Sequence, residues 1–165
     1  MTRSISALRF ALSMLALLSL ARPAAAGQQV PFKGSVQGNS ARTLLDPPFV
    51  LDEIEMSGTA SHLGRVDLLI TATVNLTTRT AVGTYEFVAA NGDVLVANFT
   101  GSSAPTSTPG VILITELGTI DPDASTGRFA GATGTFTCER LFTPATGETI
   151  GSIAGTISSA GASKH

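Results

Sequence analysis

Ser125-Thr126-Gly127-Arg128-Phe129-Ala130-Gly131-Ala132-Thr133-Gly134 runs directly into Thr135-Phe136-Thr137-Cys138-Glu139-Arg140-Leu141-Phe142. The glycine spacing of the first part describes a backbone that turns tightly, because glycine enters left-handed conformations without steric penalty. The second part alternates large apolar residues with polar ones, which is the period of a half-buried strand. Outward from this stretch the alternation recurs along the chain, threonine is abundant, and no 3.6-residue apolar period follows residue 26. The class is all-β.

The pattern places strands at 27–36, around Val30, Phe32, Gly34 and Val36, and at 49–61 and 65–76, with Val66, Leu68, Ile70, Ala72 and Val74 on one face of the last. Residues 37–48 read as a loop, with Gly38, Asn39 and Asp46-Pro47-Pro48 as turn residues. Asn91-Gly92 joins strands at 80–90 and 93–101 and is a strong hairpin signal. The Ser/Thr/Pro-rich residues 102–109 read as a second loop before a strand at 111–120, and Pro144-Ala145-Thr146-Gly147 joins 135–142 to 149–158. Short turns between successive strands favour an up-and-down meander. Closing it removes edges that would invite aggregation, so a single antiparallel β-barrel of about eight strands is expected, with a β-sandwich as the alternative.

Residues 1–26 combine a basic start (Arg3, Arg9), an apolar run from Phe10 to Leu20 and Ala24-Ala25-Ala26, the three parts of a secretory signal with a small-residue cleavage site. The expected organisation is this signal, a barrel domain at 27–160 and a disordered tail at 161–165, in a secreted or periplasmic protein. Without residues 1–26 the chain carries seven Lys+Arg against twelve Asp+Glu, a net of −5. Such a balance gives no footprint for nucleic acid, and no later apolar run is long enough to span a membrane after cleavage. Cys138 is the sole cysteine, so the fold stands on packing without an intramolecular disulfide.

The segment Gly127-Arg128-Phe129-Ala130-Gly131-Ala132-Thr133-Gly134 with the strand after it resembles the corresponding turn and strand of the allene oxide cyclase and dirigent-like barrels. Gly58-Thr59-Ala60-Ser61-His62-Leu63-Gly64-Arg65 resembles a segment of uncharacterised secreted bacterial proteins with the same turn. The resemblance implies an eight-stranded barrel with a cavity, in families that act on or guide hydrophobic small molecules, and small homo-oligomers by analogy. It assigns Gly127, Gly131 and Gly134 structural positions in the turn and makes Phe129 a core plug. It carries over no catalytic position.

Arg140 is the sharpest anomaly, because alternation carries it to the same face as Phe136, Cys138 and Phe142. A guanidinium there needs a carboxylate, and Glu116 or Glu86 are the candidates. Such a pair would anchor a ligand or brace the rim. His62, the only histidine besides the terminal one, would serve either as a general base at a barrel mouth or as a turn residue bonded to backbone. Glu53 and Glu55 share a face that reads as outward, because Val50, Ile54 and Met56 make the other face apolar. No metal-ligating cluster, nucleophile elbow, phosphate loop or dinucleotide fingerprint is present, and no cofactor is expected.

Three functions follow as expectations. The first is a secreted barrel binding a small hydrophobic ligand in its interior, with Arg140, Glu116, Glu86 and His62 as the ligand-binding candidates. The second is a cofactor-free isomerase or cyclase of the allene oxide cyclase type, and the third a solidly packed envelope protein with no cavity.

Overall fold

A computed structural model describes residues 28–158. The expected signal at 1–26 and tail at 161–165 lie outside the described residues. Eight antiparallel strands, β1 Gln29–Leu44, β2 Phe49–Ala60, β3 Gly64–Asn75, β4 Thr80–Ala89, β5 Val94–Pro105, β6 Ile112–Ile120, β7 Gly134–Phe142 and β8 Glu148–Ser158, pair in sequence order. The sheet closes where β1 meets β8, from Gln29 opposite Ser158 to Asn39 opposite Glu148. The fold is thus the closed barrel and not the sandwich.

Two segments expected as loops are strand. β1 continues from Val36 to Leu44, leaving only a short turn before Phe49, and β5 continues through Ser102 to Pro105. The cause is tertiary: residues 34–44 pair with β2 while residues 29–39 pair with β8, so the glycine and asparagine that read as turn signals are held on both sides. At Asn91-Gly92 the hairpin forms as expected, with Gly92 at φ 84 and its amide donating to the Ala89 carbonyl at 2.8 Å.

The two ends of the barrel differ. At one end, the connection between β6 and β7 folds back across the opening through a single 3₁₀ turn at Gly127–Phe129. It is sewn to neighbouring strands: the Thr126 amide donates to the Val94 carbonyl at 2.8 Å, the Val96 amide to Ser125 Oγ at 3.0 Å, and the Thr133 amide to Ser158 Oγ at 2.9 Å. Gly127, Gly131 and Gly134 all take positive φ, and a Cβ at Gly127 would strike the Asp93 carboxylate. Phe129 is fully buried beneath this cover.

Above it the barrel is filled by aromatic rings. Phe32, Phe87 and Phe136 meet edge to face at 5.5–5.8 Å, and Tyr85 stacks on Phe87 at 5.6 Å and meets Phe99 at 4.9 Å. Each such ring contributes about 1.5–3 kcal/mol by leaving water. Gly118 makes room for this cluster, since any Cβ there would meet the Phe136 ring.

Candidate functional site

At the other end, where the β1–β2, β3–β4, β5–β6 and β7–β8 turns lie, the interior is not filled. A cavity of about 290 Å³ opens there, walled by Ile54, Val74, Ile112 and Ile114, with Arg140 and Glu116 among its lining. Both charged residues are buried, with 2% and 1% exposure.

The pair is bidentate. Arg140 Nε donates to Glu116 Oε2 at 2.9 Å and Nη2 to Oε1 at 2.6 Å. The Tyr85 hydroxyl donates to the same Oε2, and Arg140 Nη1 reaches Thr149 Oγ1 at 3.3 Å. The carboxylate therefore joins a guanidinium lining the cavity to a phenol rooted in the aromatic core. Burial alone would pull the Arg140 guanidinium down, but the hydrogen bonds and charge of Glu116 outweigh it and hold it above its ordinary value. Tyr85 is pushed well above the usual phenol range, first by burial and then by the Glu116 charge.

Local sequence makes room for the pair. β7 turns Arg140 inward by alternation, opposite Ile114 on β6 and Gly151 on β8. A Cβ at Gly151 would sit 2.6 Å from Arg140 Cγ, and one at Gly101 would sit 2.7 Å from Glu116 Cγ. Both glycines are flat spots in neighbouring strands against which the two long side chains lie. A second ion pair stands at the cavity's edge: Arg42 Nε and Nη2 donate to the two Asp52 oxygens at 2.6 and 2.7 Å, with the guanidinium 5.8 Å from the Phe142 ring.

Of the four expected ligand-binding residues, the fold brings Arg140 and Glu116 together and leaves the other two elsewhere. Glu86 points outward from β4 and is exposed, because its neighbour Tyr85 takes the inward position. His62 sits in the β2–β3 turn at the covered end, exposed, with φ 68 and Nε2 donating to the Pro31 carbonyl at 3.0 Å. It tethers a turn to β1. Glu53 and Glu55 face outward and are exposed. Among the described residues no group of three or more His, Cys, Asp or Glu side chains is placed to hold a metal ion.

Tyr85, Thr149, Arg42 and Asp52 belong to the site without having been singled out for it by sequence. Asp52 breaks the Val50, Ile54, Met56 face in the same way that Arg140 breaks its own, so the signal is there to read. Tyr85 is the only tyrosine and alternates with Phe87.

Cys138 lies beside this network, opposite Glu116 in the ladder, and burial followed by the Glu116 charge pushes its thiol up to about 11 from 9.0. The neutral form is favoured in the fold, so its contribution is complete below pH 9 and is lost as pH rises from 9 towards 11. About 2–3 kcal/mol of stability should disappear over that window. Urea midpoints measured from pH 8 to 11 should fall, and Cys138→Ala should make the fall shallower, leaving the Tyr85 part. An unchanged slope in the variant would contradict the assignment.

Comparison with known proteins returns no matching family model, curated protein or solved structure.

Proposed function

We propose that this chain is an exported small-molecule-binding barrel, which admits a small, largely apolar ligand through its open end and holds it over the Arg140–Glu116–Tyr85 network. One observation carries the reading: the barrel is packed solid at its covered end and hollow at the other, and a buried, fully braced ion pair lines the hollow. A barrel that served only as a scaffold would be filled by its own side chains at both ends. Apolar walls with a few convergent polar groups are the usual make-up of a ligand pocket.

Export is supported by the basic, apolar and small-residue order of residues 1–26. The outer surface suits water, since Lys33, Glu53, Glu55, Asp67, Glu86 and Glu139 point outward from within strands where a lipid-facing barrel carries an apolar band. Kinship with the allene oxide cyclase and dirigent-like barrels is supported by the glycine–aromatic–glycine turn ahead of β7. The isomerase reading gains one feature, a carboxylate lining the cavity that accepts from a phenol. Both Glu116 oxygens are already engaged by Arg140, however, which suits an anchor better than a base.

Native mass spectrometry of residues 27–165 recovered from exported material tests the proposal. A stoichiometric adduct of small mass is expected, lost on denaturation and lost in Ala81→Phe, which places a ring in the cavity from a partly buried wall position. A bare mass for the unaltered protein under several gentle purification conditions, or an adduct that Ala81→Phe leaves in place, would overturn it.

A further inference from the structure

The charges around the open end are distributed unlike those of the rest of the barrel. Residues 28–158 contain six lysines and arginines against twelve aspartates and glutamates. Three of those six cations, Arg42, Arg79 and Arg140, line the open-end cavity, with only two of the twelve acids, Asp52 and Glu116. Both acids are already taken: Asp52 by Arg42 at 2.6 Å and Glu116 by Arg140 at 2.6 Å. Asp46 and Glu148 stand at the same end of the barrel, and neither lines the cavity.

Arg79 is therefore left over. Among the described residues no carboxylate lies within ion-pair distance of it, and its side chain makes no hydrogen bond, although its backbone carbonyl accepts from the Ser103 amide at 2.9 Å. It is exposed at the β3–β4 turn with φ 57, a left-handed conformation that glycine adopts at less cost. A non-glycine residue held there is worth explaining by function. Here the explanation is position: the turn puts an unpaired guanidinium on the lip of an apolar hollow, in a barrel that is otherwise acidic.

We infer that the ligand is a small amphiphilic anion, held with its apolar body inside the barrel and its carboxylate or equivalent group at the mouth against Arg79. This rests on the reading of the cavity as a ligand site. A volume of about 290 Å³ takes on the order of ten heavy atoms at about 30 Å³ each. A planar guanidinium suits a carboxylate because two of its N–H groups can engage both oxygens. The deeper arginine does not compete, since its charge is met by Glu116.

Octanoate, 1-octanol and octylammonium share one alkyl chain and differ in head group, so they separate the two claims. Titration of each into residues 27–165, followed by amide chemical shifts of residues lining the cavity, should give a dissociation constant for octanoate and for 1-octanol. Arg79→Gln should weaken octanoate about threefold to fivefold, the value of an exposed ion pair, and leave 1-octanol unchanged. Raising the salt concentration should erase the difference between the two proteins. Binding of 1-octanol in the cavity with octanoate indifferent to Arg79→Gln, or octylammonium preferred over octanoate, would overturn the anion preference and leave the binding reading standing. Absence of cavity shifts with every probe would overturn both.

Discussion

Arg140→Met alone should destabilise the barrel by about 3–5 kcal/mol, because it leaves the Glu116 carboxylate buried with no opposite charge. Arg140→Met combined with Glu116→Met should cost much less than the sum of the single changes, since an apolar pair of similar volume needs no desolvation offset. The double variant still strands two buried hydroxyls, and the first is Thr149 Oγ1, which loses its Arg140 Nη1 donor. The second, the Tyr85 hydroxyl, loses its acceptor, and a buried orphan donor costs about 1–3 kcal/mol. Adding Tyr85→Phe should recover that amount. Urea unfolding of the single, double and triple variants checks the series, and additive losses would mean that the three side chains do not act as one network. The outcome bears on the proposed function, because a triple variant that folds well but lacks the binding proposed for the unaltered protein would mean that the network is kept for binding and not for stability.

Alternation made the fold readable wherever strands have one wet and one dry face. β3 and β7 follow that pattern along their length, and the glycine run before β7 shows the tight connection. Closure could not be read in the same way, because whether the first strand pairs with the last depends on contacts more than a hundred residues apart. The ends of β1 and β5 failed for a related reason. Gly38 and Asn39 carry turn chemistry locally, but β2 and β8 hold them extended from both sides.

That one misplacement also hides part of the site. Ending the first strand at Val36 puts Arg42 in a loop, where a charge attracts no notice, while the real strand turns it towards Asp52 and the cavity. Arg140 and Glu116 are legible because both stand on apolar faces of recognisable strands. Choosing between Glu116 and Glu86 needs only the phase of β4: a step of one residue exchanges Glu86 for Tyr85 and turns a supposed counter-charge into a hydrogen-bond donor. The empty space itself leaves no mark on sequence, since the same Ile and Val residues would line a filled barrel.

Phe129→Ala should be the largest single loss at the covered end, about 3–5 kcal/mol, or on the order of 10–20 °C in Tm. The ring is fully buried, caps the interior beneath the β6–β7 connection and lies 4.9 Å from the Arg128 guanidinium, whose Nη2 donates to the Leu63 carbonyl at 3.4 Å. Removing it takes away the apolar contact that seats this connection, while the hydrogen bonds of Thr126, Ser125 and Thr133 to the strands remain. Phe129→Leu should recover most of the loss by refilling the space, and thermal unfolding of both variants measures it. The two ends should separate cleanly: because the aromatic cluster of Phe32, Phe87 and Phe136 lies between Phe129 and Arg140, a folded Phe129→Ala protein should keep the binding proposed for the open end. A parallel loss of binding and stability would instead mean that the cover and the cavity are coupled through those rings, and the barrel would have to be treated as a single elastic unit.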